Sequence, residues 1–303
     1  MAARTSTALL VAWVALAAPV SAAADDISLE RPASAQPENL VTYGGTFAWS
    51  ERAADGTYRL IVRTGDGVPA AAPVGAFATP VDPDVGPRAG GGAPVVVDAR
   101  GAATCDVYRF DPAAGRETRV APISRRGTSE TAPSTWKGAY VFSRARGTYL
   151  YRPGRGTRRL LGAAAIATDL SDAYAAILSG DLRRRDLRAV SWSGRVVREL
   201  GTSTASDGGG ERFGPPTLTR YFAYWRSDQT GGAEASSVLR VDVRRRSSAR
   251  ARQRGSRDLP AGLDLAVPQT PSGTLYWFAP SVAPPGASPF AALWVTSPLM
   301  TFR

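Results

Sequence analysis

The sequence predicts an all-β fold, a six-bladed β-propeller of four-stranded antiparallel sheets. One phrase recurs along the chain: an apolar run, a glycine turn, and a second run rich in tyrosine or arginine. Its copies are centred 34 to 53 residues apart, a spacing typical of propeller blades. Outside the N-terminus, no segment has the 3.6-residue apolar period of a helix. Five or seven blades also agree with this spacing. The centres are Trp49, Val97, Phe142, Ala176, Tyr224 and Trp277.

The clearest copy spans residues 139–160, AYVFSRARGTYLYRPGRGTRRL. Its two apolar runs meet at a glycine, Gly147, and its last residues are basic, which suits an exposed outer strand. A small twisted sheet has two apolar faces and cannot bury either alone, so such sheets must stack around an axis. We therefore expect the first run of each copy to lie nearest the axis.

Turn residues separate the predicted strands. Asp55-Gly56 and Ser193-Gly194 lie between strand-like runs, where glycine supplies the positive φ of a tight hairpin. Residues 70–94, 201–216 and 279–289 are rich in glycine and proline and are expected to be connections. Within the second of these, Ser206 to Gly210 is expected to be disordered.

The N-terminal residues have the pattern of a secretory signal peptide. Arg4 gives a positive start, Ala8 to Ala18 is apolar, and small residues up to position 24 offer a cleavage site. We expect residues 1–24 to be removed, residues 25–37 to form an N-terminal segment able to close the ring, and residues 38–303 to form one propeller domain. The expected product is extracellular or periplasmic, monomeric and without a transmembrane helix.

Composition removes several classes of chemistry. The 303 residues carry a formal charge of +11 and include no histidine and one cysteine, Cys105. Without histidine a Ser-His-Asp hydrolase is impossible, and one cysteine forms no intramolecular disulfide. No P-loop, His-Glu-x-x-His or Cys-x-x-Cys motif is present. We therefore predict no cofactor and no metal site.

The blades resemble the TolB-like, WD40-like (PD40) propellers of secreted and periplasmic bacterial proteins. The similarity rests on residues 139–142 before 149–152, and on residues 106–111 before Gly115-Arg116. It extends over most of the mature chain and implies a scaffold for protein or ligand contacts, often without catalysis. The sequence departs from that family in lacking its aspartate signature after a Ser-Pro pair, and it also lacks the Trp-Asp dipeptide of eukaryotic WD40 repeats.

The candidate binding residues are arginines and one tryptophan. Two arginine runs in neighbouring predicted blades suit phosphate or carboxylate oxygens, because a guanidinium group donates two parallel hydrogen bonds. Neither run has interleaved aromatic residues for base stacking, so nucleic acid is not expected. Trp136 is expected to precede its strand and to be exposed. The runs are Arg183, Arg184, Arg185 and Arg244, Arg245, Arg246.

Three functions agree with these features, and the third is a purely structural accessory without a small-molecule site. The first is a secreted, non-enzymatic scaffold that binds a protein or an anionic cell-envelope component, a membrane surface included, through loops at one face. The second is a glycan-acting hydrolase or lyase with two carboxylates facing each other across the channel mouth. Candidate carboxylates for the second are Asp169, Asp172, Asp181, Glu51 and Asp55.

Overall fold

The protein is built from β-strands, turns and loops in every part that the structure, a computed structural model, describes. None of these residues forms a helix, so none provides a helix long and apolar enough to cross a membrane. The described residues are 31–32, 37–101, 104–220, 222–230, 235–244, 258–259, 265–266, 275–280 and 290–296.

The strands form antiparallel sheets in chain order, as the sequence predicts. Three sheets have four strands each and follow one another along the chain. The first sheet contains β2 (Pro37–Tyr43), β3 (Thr46–Arg52), β4 (Tyr58–Thr64) and β5 (Ala70–Ala71). The second contains β6 (Asp84–Gly86), β7 (Val95–Arg100), β8 (Asp106–Asp111) and β9 (Arg116–Arg119). The third contains β10 (Thr131–Trp136), β11 (Ala139–Arg144), β12 (Gly147–Arg152) and β13 (Gly156–Leu161).

An eight-stranded sheet follows and consists of two four-stranded meanders. The meanders are joined where Ala205 and Ser206 pair with Gly210 and Gly209. The first half contains β14 (Ala165–Leu170), β15 (Tyr174–Gly180), β16 (Arg184–Ser191) and β17 (Val196–Ser206). The second half contains β18 (Gly209–Leu218), β19 (Phe222–Thr230), β20 (Ala235–Asp242) and β21 (Asp258–Leu259).

The last sheet joins the two ends of the described chain. Its order places the N-terminal strand beside the C-terminal strand, with Arg31 opposite Ala291 and Pro32 opposite Phe290. Residues 25–30 of the N-terminal segment lie outside the described residues. The strands of this sheet are β22 (Leu265–Ala266), β23 (Leu275–Pro280), β24 (Phe290–Thr296) and β1 (Arg31–Pro32).

The first strands of successive sheets meet around a common centre. Strand β2 contacts β6, β6 contacts β10, β10 contacts β14, and β14 contacts β18, while β22 contacts β2. The innermost strands are therefore β2, β6, β10, β14, β18 and β22. The other strands of each sheet or meander lie further from the centre.

The apolar core lies between the faces of neighbouring sheets. On the third sheet, Phe142 packs with Val97 of the second sheet, whereas Val141 packs with Ile177 of the eight-stranded sheet. All four side chains are fully buried. Because residues 141 and 142 point to opposite faces of one strand, both faces of this sheet are covered, which explains the repeated apolar alternation.

Two sequence-based expectations about strands are wrong. The apolar runs centred on residues such as Phe142 form the second strand of each sheet or meander, and a strand with a weaker apolar signal lies nearer the centre. Residues 201–216 are not a connection, because they form the end of β17 and most of β18, and Ser206 to Gly210 is their hairpin. Gly209 and Gly210 have φ of 119° and 144°, which glycine adopts readily.

The backbones of β6 and β10 approach each other closely at Gly86, and a substitution there tests this contact. A Cβ built on Gly86 in β6 would lie 2.1 Å from the carbonyl oxygen of Thr135 in β10. Gly86→Ala should therefore separate the two central strands and lower the free energy of unfolding by about 1–3 kcal/mol, as overpacking does. Denaturant titration measures the change. Gly208→Ala is the matched control, because its Cβ meets only the Ser206 hydroxyl at 3.9 Å, and an equal effect of both variants would contradict the close-approach account.

Candidate functional site: the central cavity

A cavity of about 210 Å³ lies where the first strands meet. It is lined by residues of β2, β6, β10, β14 and β18 and of the segments beside them, together with Arg226 of β19. Its polar side chains include three carboxylates, those of Asp82, Asp84 and Asp169.

The strands around the cavity each have one edge that faces a neighbouring sheet rather than a strand of their own sheet. Backbone groups on such an edge need partners from outside the ladder. Side chains of the neighbouring sheet, or of the neighbouring meander within the eight-stranded sheet, supply them. The backbone N–H of Thr135 donates to Asp84 Oδ2 at 2.7 Å, and the N–H of Leu218 donates to Asp169 Oδ2.

Amide and hydroxyl side chains make the same kind of connection to backbone carbonyls. Asn39 Nδ2 of the first sheet donates to the carbonyl of Val81, just before β6, at 2.9 Å. Thr168 Oγ1 of β14 donates to the carbonyl of Ala132 in β10 at 2.8 Å. The side-chain bonds therefore link the first sheet to the second, the second to the third, and the third to the eight-stranded sheet.

The pairing of the central strands contains register shifts, which change the direction of their side chains. Asn39 and Ala132 have positive φ values of 57° and 46°, unusual for residues other than glycine, and lie at two of these irregularities. Such a bulge turns a strand edge and side chain away from the regular ladder. The register shifts lie between Glu38 and Val41, Thr131 and Ser134, Ala165 and Ala167, and Phe213 and Pro216.

Asp84 and Asp169 interact through the hydroxyl of Ser134. Ser134 Oγ donates to Asp169 Oδ1 at 3.3 Å and also hydrogen-bonds the Asp84 carboxylate. Asp169 is 4% exposed. Burial raises the pKa of Asp84 to about 6, and burial together with the Asp84 charge raises the pKa of Asp169 well above its ordinary value. The two groups thus hold protons more tightly than free carboxylates do.

Of the carboxylates expected at a channel mouth, only Asp169 lines this cavity. Asp172 lies in the turn after β14, where it accepts hydrogen bonds from Trp136 Nε1 at 2.5 Å and Lys137 Nζ at 3.2 Å. Asp181 lies in the turn after β15 and accepts from two backbone N–H groups of that turn. Asp84 and Ser134 also belong to this site, and the sequence did not predict their strands, which lack the apolar alternation by which strands were recognised.

The expectation that Trp136 is exposed and precedes its strand is wrong. Trp136 is the last residue of β10 and is only 7% exposed. Its ring packs edge-on against Tyr43 of the first sheet, with 5.5 Å between centroids. It therefore helps to join two sheets.

The two arginine runs do not form one face. Arg183 lies beside the hairpin that joins β17 to β18, since its carbonyl accepts from Ala205 N. Arg244 follows the end of β20, which pairs with Phe222 at the opposite end of the second meander. The two ends are one strand length apart, about 25 Å at 3.3 Å per residue.

Within the runs, several arginines already have protein partners. Arg185 Nη1 donates to the carbonyl of Phe213 at 2.5 Å. Arg184 pairs with Asp186, and Arg244 makes two hydrogen bonds to Asp242. Arg245 and Arg246 lie outside the described residues.

The ring of sheets around this cavity defines the fold as a β-propeller, and solved structures show the same fold. TolB from Acinetobacter baumannii has a TM-score of 0.51 and 13% identity, over 84% of this chain and 64% of that one. The PQQ-bound aldose sugar dehydrogenase from Streptomyces coelicolor has a TM-score of 0.50 and 12% identity, over 90% of this chain and 100% of that one.

A puromycin hydrolase has a TM-score of 0.50 and 15% identity, over 88% of this chain and 54% of the hydrolase. The chain therefore spans less than two thirds of both TolB and this hydrolase. At these identities the similarity shows the fold alone. No protein-family model and no curated protein matches the sequence.

The raised pKa of Asp84 gives a pH-dependent prediction. A carboxyl group whose pKa is higher in the folded protein favours folding at low pH, and this contribution is lost as pH rises from about 4 through about 6. Asp84→Asn keeps an oxygen for Thr135 N and removes the titration. Relative to the wild type, the variant should gain on the order of 1–3 kcal/mol of unfolding free energy between about pH 4 and pH 8.

Denaturant titrations of the wild type and Asp84→Asn at several pH values measure this difference. Asp55→Asn is the control, because Asp55 is exposed and hydrogen-bonded to Thr57, and its pKa is lowered. A wild-type minus Asp84→Asn difference that does not change with pH would show that Asp84 titrates normally.

Proposed function

We propose that this chain is a secreted, six-bladed propeller scaffold that binds an anionic component of the cell envelope and is not an enzyme. The count of six takes the eight-stranded sheet as two blades and the sheet of β22–β24 with β1 as the last. Secretion is proposed from the signal-peptide pattern of residues 1–24, which lie outside the described residues.

The distribution of charge is the observation that carries this proposal. Between Thr131 and Leu161, the whole third sheet contains no aspartate or glutamate. Two of its cations have acidic partners nearby, since Lys137 pairs with Asp172 and Arg144 with Glu130. The other five have no carboxylate partner among the described residues. The cations are Lys137, Arg144, Arg146, Arg152, Arg155, Arg158 and Arg159.

The second sheet provides the contrast. Its arginines alternate with acids, and Arg100 and Arg119 pair with Asp98 and Asp106. An ordinary arginine-rich surface therefore compensates its charge locally, whereas the third sheet does not. An uncompensated positive surface attracts anionic polymers, lipid headgroups and acidic proteins outside the cell.

The hydrogen bonds of the central carboxylates support a structural role for these groups rather than a catalytic one. Asp169 accepts hydrogen bonds from Ser134, Leu170 and Leu218, and Asp84 accepts from Thr135. A carboxylate that accepts hydrogen bonds from backbone N–H groups of other strands helps to hold the ring together, which is a structural role.

Salt dependence tests the proposed function. Purified protein should be retained on isolated, negatively charged envelope material at low ionic strength and released as sodium chloride is raised, because salt screens exposed charges beyond about 10 Å at 0.1 M. Co-sedimentation measures retention, with an uncharged polysaccharide as control. Retention that is insensitive to salt, or equal on the uncharged polymer, would contradict the proposal.

A glycan-acting hydrolase is the second candidate, favoured by one observation. Asp84 and Asp169 line one cavity, and their raised pKa values are those of groups able to donate a proton near neutral pH. This function predicts release of reducing ends from an envelope glycan and the loss of this activity in an Asp84→Asn variant that is still folded. Absence of turnover by the wild type would remove this candidate.

A further inference from the structure

We propose that a cleft between the third sheet and the eight-stranded sheet binds a single strand of a phosphodiester-linked polymer. This inference rests on the proposed function and assigns it a site and a ligand class. The cleft has a volume of about 390 Å³ and lies on the outer part of the two sheets, away from the central cavity. Its side chains come from β12, the turn after it, β13 and the turn after β16; the principal ones are Leu150, Arg152, Arg155, Arg158 and Trp192.

The pairing of β12 with β13 places two arginines on the same face. Leu150 pairs with Arg158 and Arg152 pairs with Gly156, so Arg152 and Arg158 are diagonal neighbours. Such neighbours lie about 7–8 Å apart. Leu150 is 1% exposed and packs toward the eight-stranded sheet, which shows that this face is the one turned toward the cleft.

Trp192 forms the opposite wall. It follows β16 and packs against the core that contains Leu150. The Arg152 guanidinium lies 4.9 Å from the centroid of the Trp192 ring, a cation–π contact between the two walls of the cleft. The Trp192 Nε1 atom is buried and has no acceptor among the described residues. A buried donor without an acceptor is unfavourable.

The cleft differs in charge from a cleft on the first sheet. A comparable cleft on the outer part of the first sheet contains Arg59, but it also contains Glu51. The cleft of the third sheet is lined by three arginines and no acid. None of the three has a carboxylate partner among the described residues.

The shape and chemistry of the cleft select the occupant. A concave space between two sheets admits one extended chain, whereas a flat bilayer surface cannot enter it. Arginine keeps its charge at all relevant pH values, and its planar donors match phosphate oxygens. Three guanidinium groups along one cleft offer more donors than a single planar carboxylate accepts, and successive phosphates of a polymer can use them in turn.

The test compares two triple variants that lose the same charge. Arg152, Arg155 and Arg158 are changed to serine in one, and Arg52, Arg59 and Arg116, exposed arginines of the first and second sheets, in the other. Binding of a synthetic glycerol phosphate oligomer is measured over a range of salt concentrations. The cleft variant should bind at least about a hundredfold more weakly than the wild type. The slope of log affinity against log salt should fall by about one for each phosphate that the variant no longer neutralises.

The control variant should retain affinity within a few-fold and the wild-type slope. Equal losses in both triple variants would overturn the cleft and leave the general electrostatic proposal in place. Failure of the wild type to bind any anionic envelope material would overturn the proposed function itself. Polyglutamate of matched length tests the ligand class, since binding as tight as that of the phosphate oligomer would overturn the assignment to phosphate.

Variants of Trp192 test whether binding depends on the geometry of the cleft or only on its positive charge. Trp192→Phe keeps an aromatic face for Arg152 and should weaken binding only slightly, whereas Trp192→Ala should weaken it about tenfold. Thermal unfolding of each variant identifies any loss of fold. Unchanged binding by folded Trp192→Ala would contradict the proposed geometry of the cleft.

Discussion

The open edges of the central strands are the constraint on which this structure depends. A four-stranded sheet satisfies the backbone of its inner strand on one side only, and the other side meets the next sheet around the cavity. Here the missing partners are side chains of a neighbouring sheet or of the neighbouring meander: two carboxylates, an amide and a hydroxyl, on Asp84, Asp169, Asn39 and Thr168. Hydrogen bonds between sheets, together with the apolar faces, therefore define the ring.

This arrangement has an electrostatic consequence. Carboxylates are strong acceptors for backbone N–H groups, but a charged pair in a small cavity loses hydration, and the pKa values of both groups rise. Protonation of one member reduces the repulsion and leaves its oxygens available as acceptors. The polar side chains at the centre of the ring therefore stabilise the arrangement of the sheets. The cations without a carboxylate partner among the described residues lie at the outer part of the third sheet, where Arg152 and Arg158 border a cleft.

The sequence predicted the all-β class and the repeated sheets because the second strand of each sheet, such as Ala139–Arg144, is buried on both faces and shows a strong apolar signal. It did not reveal the central strands. Thr131–Trp136 and Asp84–Gly86 are short and rich in small or polar residues, since they face a cavity and other strand edges rather than an apolar core. The site residues Asp84 and Ser134 belong to these strands, and their meeting depends on contacts between sheets that no local pattern encodes. Arginine runs were conspicuous in sequence, but only pairing across strands shows that Arg152 and Arg158 share a face and that Arg183 and Arg244 do not.

Residue-resolved hydrogen exchange at the backbone amides of Leu218 and Thr135 tests the central claim most directly. Both amides lie on strand edges without a ladder partner on that side, and only the carboxylates of Asp169 and Asp84 can protect them. Exchange should be as slow as that of amides within the sheets, and in Asp169→Ala it should accelerate at Leu218 while Thr135 remains protected. Exchange at Leu218 in the wild type as fast as at the exposed turn residue Gly208 would contradict the claim that buried carboxylates join the sheets.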